Sequence, residues 1–512
     1  NVTSAQAGVT VRYTINANEP TAASPAVAGP TPVPVTVVIH ARAYSDDPMI
    51  LPSFMETNSY FIAENHVLPI ISISGPQLQT LLNGTQISPE GHIEYFGENG
   101  QLRDEARGDF NEHGNDSWAY AQRGIDYITR DQLGYNDEIH YPIFRAKDRD
   151  GFQRLIIKAA ANDNYPFSPP AGGGAHVIDA YVHSLSQLAD LRLDERSHEP
   201  CVMYVNGLYW GVYDIREKVD DLDFTDYYYN QGEGDVDFIK TWGGTWNEFN
   251  SGTANEWAPL VTFITTEDMT DPANYTYVKS VYNTGSLIDY FVLNSYVVTT
   301  DWLNWNTGWW RGVNPNGDKR KWRYILWDND ASFGEYINFT GIPDISPEAD
   351  PCNPETIGDP GGQGHVPILN ALMNNEEFYN DYVSRFVDLS QTYFSCEYMV
   401  HHLDSLTEMI APEMQGQVDR WGGTVAGWQA NVQTIRQFIE DRCAALNSGM
   451  LDCYDVTGPF PLVVEVQPPG AGWVQFNTIE MTEFPWEGTY FGNLDIDMQA
   501  NAYGVNVFSH WE

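Results

Sequence analysis

Basic residues are scarce: 26 Lys and Arg stand against 70 Asp and Glu in 512 residues, a formal net charge of −44. A sequence-independent grip on DNA or RNA needs a dense Lys/Arg surface, so no nucleic acid is expected as a macromolecular partner. No apolar run approaches the roughly 20 residues that span a bilayer, so no transmembrane segment is expected. Cysteine is sparse as well. Cys201, Cys352, Cys396, Cys443 and Cys453 show no CxxC pairing, which argues against a zinc ribbon. Cys443 and Cys453 are close in sequence and suggest a disulfide outside the cytoplasm; the odd count leaves at least one free thiol. There is no Gly-x-Ser-x-Gly elbow of the kind a Ser-His-Asp hydrolase uses. No signal peptide opens the chain, which begins in a strand-like region and reads as a segment of a longer polypeptide; secretion is inferred.

What is present points to folded domains. An apolar fraction of 42% and an aromatic fraction of 13% are too high for a disordered acidic chain. At roughly 150 residues per domain the length allows about three or four domains. The acidic surface serves solubility and would attract cationic partners.

Alternation of Val9, Val11, Tyr13 and Ile15, and of Val33, Val35, Val37 and Ile39, predicts two strands around a Pro/Ala-rich turn region from Pro20 to Pro34. A third strand is expected to end near Tyr60–Ile62, closing a small sandwich by about residue 66. Leu68–Ile73 and Arg154–Lys158 read as buried strands, and Cys201–Val205 and Trp210–Ile215 flank an Asn206-Gly207 hairpin turn. From residue 285 the period becomes helical through Leu287, Phe291, Asn294 and Val298, ending before Asp301. Strand Trp322–Trp327 leads into Asp328. Residues 340–364 read as a surface loop, and helices are expected at about 367–390, 397–415 and 425–447, with a break at Gly422-Gly423. Beyond Gly458 the pattern is β again.

The constellation with most chemistry in it is Asp301-Trp-Leu-Asn-Trp-Asn306 followed by Trp327-Asp328-Asn-Asp330. Phosphoryl transfer needs one carboxylate to orient the attacking hydroxyl and others, with an amide, to hold a divalent ion on the phosphates. Ordinary turn acids forming caps and Asx-turns give the same pattern, and that reading stays open. A calcium loop is a third reading, although the EF-hand ligand spacing is missing. Trp302, Trp305, Trp309 and Trp310 suggest either sugar stacking or core packing. His113, His401 and His402 do not make a metal site, since adjacent histidines on a helix do not share a face.

Several runs carry a family resemblance. Val202-Met-Tyr-Val-Asn206-Gly-Leu-Tyr-Trp210-Gly-Val-Tyr-Asp-Ile-Arg216-Glu217-Lys-Val-Asp220 resembles the signature hairpin of the spore-coat CotH-type atypical protein kinases. The same family pattern runs in order through His113-Gly114-Asn-Asp-Ser117, Leu155–Asp163, Asp301…Asn306 and Trp327-Asp328-Asn-Asp330-Ala-Ser-Phe-Gly334. The resemblance implies an α+β fold with an atypical protein-kinase-like domain that binds ATP with Mg²⁺ or Mn²⁺. It also implies phosphorylation of Ser (or Thr) in secreted or cell-surface bacterial proteins. On this reading Asp301 is the catalytic acid, and Asn306, Asp328 and Asp330 hold the metal. Ser117, Arg123, Lys158 and Glu217 organise the nucleotide, and these groups are expected to meet around one triphosphate. The chain departs from the pattern where the family has Lys and this sequence has Gln122-Arg123. It departs again at Val177-Ile178-Asp179, where relatives carry Arg, and in the rearranged stretch Ser168–Gly174. These departures keep open a catalytically weak or inactive kinase fold serving as a surface structural or adhesion protein.

Residues 1–66, with Val11-Arg-Tyr13 through Glu19-Pro20 and Ile39-His-Ala41-Arg-Ala43, resemble the β-sandwich at the C-terminus of chitobiase and hexosaminidase enzymes. The expected organisation is an N-terminal β-sandwich at 1–66, a kinase-like domain at 67–457 and a C-terminal β extension at 458–512. Charge suggests a basic, Ser-rich protein substrate.

Overall fold

The computed structural model describes residues 2–30, 32–168 and 173–512, so positions 169–172 of the rearranged stretch lie outside the described residues. The chain divides into two compact units. The first comprises Asn1–Ala180, Arg196–Lys218 and Ser405–Val432. The second comprises Tyr181–Glu195, Val219–Asp404 and Gln433–Glu512.

In the first unit, β1 (Val9–Thr14), β2 (Val37–Ser45) and β3 (Glu56–Tyr60) form one antiparallel sheet in that order. Among the described residues this is a single three-stranded sheet, where the sequence suggests a sandwich. β2 starts at Val37 instead of Val33, because Pro32 and Pro34 have no N–H to give a ladder. β4 (Ile70–Ser74), α1 (Leu78–Leu82), β5 (Glu90–Phe96), β6 (Leu102–His113) and β7 (Gly124–Thr129) follow. Then come the two-residue strands β8 (Ile139–His140) and β9 (Gly151–Phe152), β10 (Arg154–Lys158), the first turn of α2 (Ile178–Leu188), β11 (His198–Val205) and β12 (Leu208–Arg216).

Seven of these strands close a barrel in the order β10-β12-β11-β4-β5-β6-β7, with β11 and β4 parallel. Its interior is packed with Ile71, Ile73, Phe110, Tyr127, Leu155, Ile157, Met203 and Tyr213. Because side chains alternate along a strand, burial of Leu155 and Ile157 in that core turns Ile156 and Lys158 to the outer face. The β11–β12 turn places Asn206 and Gly207 at φ 52° and 80°, the left-handed pair that a two-residue hairpin loop requires. Outside the barrel, Ser59 of β3 donates its backbone N–H (2.8 Å) and its hydroxyl to the Glu94 carboxylate. Burial pushes that carboxyl up to about 7 despite these donors.

The second unit contains α3 (Leu222–Tyr229), β13 (Val236–Trp242), β14 (Gly244–Phe249), α4 (Trp257–Thr266), α5 (Pro272–Val281) and α6 (Thr284–Tyr296). It continues with β15 (Thr307–Gly312), β16 (Arg323–Leu326), α7 (His365–Leu372), α8 (Glu376–Ser390) and the first part of α9 (Cys396–Ile410). The long helix Val425–Cys453 contributes its C-terminal part, before β17 (Thr457–Val464), β18 (Gly472–Phe476), β19 (Ile479–Met481), β20 (Trp486–Gly492) and β21 (Met498–Ala502). β14-β13-β15-β16 form one antiparallel sheet. α6 is capped by Asn283, whose side chain accepts from Ser286 N–H at 3.1 Å, and is buried from Gly285 to Tyr296.

The helix expected at 367–390 is two helices, because Asn375 caps α8 by accepting from Phe378 N–H at 3.0 Å. The helix expected at 397–415 stops at Ile410, two residues before Pro412. The suggested Cys443–Cys453 bridge is replaced by Cys352–Cys453 and Cys396–Cys443, with Cα–Cα distances of 5.7 and 5.8 Å. Cys443 and Cys453 both lie on the helix Val425–Cys453. Ten residues of α-helix rise about 15 Å, well beyond disulfide reach. Cys201 is the free thiol, buried in the barrel. Among the described residues no helix is long and apolar enough to cross a membrane. The architecture is mixed α+β.

Candidate functional site

In the first unit Lys158 ends β10, opposite Asp214 of β12. Its Nζ donates to Asp179 Oδ2 at 2.7 Å, and Arg216 Nη2 reaches the same oxygen at 2.9 Å. Arg216 Nε in turn meets Asp214 Oδ2 at 2.5 Å, and His198 Nδ1 lies 3.3 Å from Asp214 Oδ1. All three of Lys158, Asp179 and Arg216 are buried. Burial alone would raise the Asp214 carboxyl, but the Arg216 guanidinium and His198 outweigh it and hold it below the usual carboxylate range. Asp179 stands in the first turn of α2, and that turn is set by Asp163, which accepts from the N–H groups of Ala175, Val177 and Ile178 at 2.5, 2.6 and 2.8 Å. The departure at Val177-Ile178-Asp179 therefore supplies an acid for Lys158. A strand lysine paired to a helix carboxylate is the arrangement a protein kinase uses at its phosphate-binding lysine.

A cavity of about 30 Å³ lies beside this network, walled by Leu406, Met409 and Ile410 and including His176. Burial lowers His176 to about 4, so it is neutral near pH 7 and offers phosphate no charge. A second cavity, about 10 Å³, brings Ser117 and Lys158 together with His113 and Gln122. Arg123 is directed elsewhere: its Nε donates to Trp118 O at 2.7 Å and its Nη1 to Leu82 O at 2.8 Å. Those bonds use the guanidinium to clasp backbone. Glu217 is fully buried, and its Oε1 accepts from Arg149 Nη1 at 3.1 Å. That hairpin acid, which the resemblance assigns to organising the nucleotide, thus has Arg149 as one partner.

In the second unit the loop from α6 to β15 carries Asp301 and Asn306. Asn306 Nδ2 donates to Asp301 Oδ2 at 3.0 Å and to Asp301 O at 3.2 Å, so the five-residue spacing brings acid and amide together. Pairing of Thr307 with Leu326 puts Asn306 at the same sheet end as Trp327 and Asp328. Thr300 N–H donates to Ala331 O at 2.9 Å, which sets Asp330 beside the Asp301 segment. Asp301 and Asp330 are buried, and Asp328 is half-buried. Asn329 Nδ2 donates to Asn294 Oδ1 at 3.1 Å, tying the strand end back to α6.

The sequence reading missed Lys240 on β13. Its buried Nζ meets Asp220 Oδ2 at 2.5 Å and Glu248 Oε1 at 3.4 Å, 4.7 Å from the centre of the Trp327 ring. A lone lysine within an apolar strand of a chain so poor in basic residues is the signal that could have found it. Of the tryptophans considered for sugar stacking, Trp302, Trp309 and Trp310 are core. Trp305 is only partly buried and meets Trp242 edge-on, with ring centres 5.0 Å apart. His402 Nε2 pairs with the Ser184 hydroxyl at 2.8 Å, and His113 Nδ1 with Asp126 Oδ1 at 2.9 Å.

Among the described residues no group of three or more His, Cys, Asp or Glu is placed to hold a metal ion by itself. Asp301, Asn306, Asp328 and Asp330 offer oxygen donors, the kind a hard divalent ion takes, from a loop and a strand end at one sheet edge. Mg²⁺ is commonly held by one or two carboxylates together with substrate phosphates, without a protein cage.

No curated protein matches the chain. Comparison with protein families matches residues 183–446 to the family described as CotH kinase protein. The match contains Glu217, Asp301, Asn306, Asp328 and Asp330 and begins beyond Ser117, Arg123 and Lys158. It covers just over half of the sequence, and the chain belongs to the CotH kinase protein family.

Proposed function

We propose that the chain is an extracytoplasmic protein kinase that transfers the γ-phosphoryl group of ATP to a Ser or Thr hydroxyl of a secreted or surface protein. The observation that carries this reading is the Asp301–Asn306 pair at the sheet end that also bears Asp328. Asp301 orients the acceptor hydroxyl and accepts its proton as the Oγ–P bond forms and the bond to the β-phosphate oxygen breaks, releasing ADP. Asn306 holds the Asp301 carboxylate in one orientation. Asp328, Asp330 and Asn306 are the residues that would hold Mg²⁺ or Mn²⁺, which when bound neutralises charge on the phosphates. Lys158, paired to Asp179, serves the nucleotide phosphates, and Ser117 lies next to it. Two disulfide bonds support an oxidising compartment. The charge of −44 suits a basic, Ser-rich acceptor.

A second reading, a kinase fold used as a surface structural protein without the chemistry, draws on the cavity of about 30 Å³ beside Lys158 and on the backbone-clasping role of Arg123. Incubation of the purified chain with labelled ATP and Mn²⁺ or Mg²⁺ separates the two. The kinase reading expects autophosphorylation or transfer to a basic Ser-containing peptide and a nucleotide-induced rise in Tm. It also expects a loss of about 10²–10⁴-fold in Asp301→Asn. No transfer and no melting shift leaves the structural reading.

A further inference from the structure

We propose that Thr340 is a positioning residue for Asp301, acting through the backbone on either side of it; the inference rests on the kinase reading above. The loop from α6 to β15 has no regular structure to hold it, and it carries Val298, Leu303 and Asn306 at φ 51°, 66° and 38°. Left-handed conformations at such residues persist only where the surroundings over-determine them. Two threonines are prominent among the groups that do so here. Thr340 N–H donates to Thr300 O at 2.9 Å. The Thr340 hydroxyl accepts from Trp302 N–H at 2.8 Å and donates to Trp302 O at 2.8 Å. One residue therefore binds both neighbours of Asp301. On the far side of the loop, the buried Thr307 hydroxyl accepts from Leu303 N–H at 2.8 Å and donates to Trp305 O at 2.9 Å.

The chemistry of the clamp is specific. A hydroxyl is the smallest side-chain group that donates and accepts at once; valine has the same shape and does neither, while serine does both. Thr340 is buried, and its hydroxyl is engaged with the Trp302 backbone in both directions, so its part in the reaction is to fix geometry. It also belongs to the segment that follows Asp330, whose Ala331 carbonyl accepts from Thr300 N–H. The strand-end acids and the Asp301 loop are thereby held in one register. A displacement of about 1 Å at a reacting group costs on the order of 10²-fold in rate, which is the scale on which such a clamp acts.

The test compares Thr340→Val, Thr340→Ser and the double variant Asp301→Asn/Thr340→Val in the phosphotransfer assay on the full chain. Rates are expressed per ATP-binding site, so that unfolded molecules do not count. Expected are a fall in kcat of about 10–100-fold in Thr340→Val with KM for ATP within about twofold, and recovery to within about threefold of wild type in Thr340→Ser. The double variant should be no slower than Asp301→Asn alone, because both changes remove one interaction; a merely structural residue adds its own loss. Wild-type kcat in Thr340→Val, a Thr340→Ser as slow as Thr340→Val, or additive losses in the double variant overturns the inference while leaving the kinase reading in place. A wild-type chain that transfers no phosphate overturns both.

Discussion

In the first unit Lys158, Asp179, Arg216 and Asp214 form a chain of ion pairs, the first three buried, and the unit's one cysteine is a thiol. In the second, the acids Asp301, Asp328 and Asp330 lie on a loop and a strand end, and both disulfide bonds found among the described residues belong to this unit. The difference follows from what each region has to hold. On the kinase reading, a buried cation that meets phosphate must stay charged, and a nearby carboxylate favours that. A loop bearing a proton acceptor needs its backbone fixed, and hydroxyl clamps and cross-links achieve that without adding charge beside the acid. Cys352 lies just beyond that acid-bearing segment, where Arg442 Nη1 also donates to Pro347 O at 3.2 Å.

The comparison breaks most visibly under reduction. Cys352→Ser with Cys453→Ser should cost about 2–5 kcal/mol, given the 101-residue separation the bond closes. Hydrogen exchange should show the loss in helices of the second unit, with protection in the barrel strands retained; equal loss in both would erase the distinction. Next in size is Lys158→Met. Removing a charged hydrogen bond costs about 1.5–3 kcal/mol, moderated because Asp179 keeps Arg216 at 2.9 Å. Its kinetic mark should be a higher KM for ATP, in contrast to the kcat effect of Asp301→Asn; a change in kcat alone would take Lys158 off the nucleotide.

The last test concerns Glu94 and is read against pH. Its folded carboxyl, raised by burial to about 7 from 4.5, binds a proton that the unfolded chain releases at lower pH. Stability from this group is therefore lost as pH climbs from about 4.5 to 7, and Glu94→Gln should gain progressively on wild type between pH 5 and 8. Tm difference against pH reads it; a flat difference denies the shift.

Much of this was legible because it is local. Asn206-Gly207 specified its hairpin, the apolar run between Arg154 and Lys158 its strand, and the spacing from Asp301 to Asn306 a contact within one loop. Partners joined across long separations left no such trace. Asp179 is 21 residues from Lys158, and nothing in the apolar run of β10 says which acid will cover its last residue. Cys352 and Cys453 are 101 residues apart, and the nearer Cys443 misled because helix rise, unlike sequence distance, decides reach. Thr340 is 38 residues from Trp302, and a threonine in a loop carries no pattern at all. Lys240 went unseen in the same way, because burial of its ammonium depends on Asp220 and Glu248 from neighbouring elements.

Cys201 gives the molecule a reporter of its own. The thiol sits fully buried in the barrel and is raised well above its ordinary value by burial, so as long as the strands hold it presents no thiolate to a reagent. An aromatic disulfide dye added without reductant should therefore stay colourless until the barrel opens, and the rate of its colour change would report that opening.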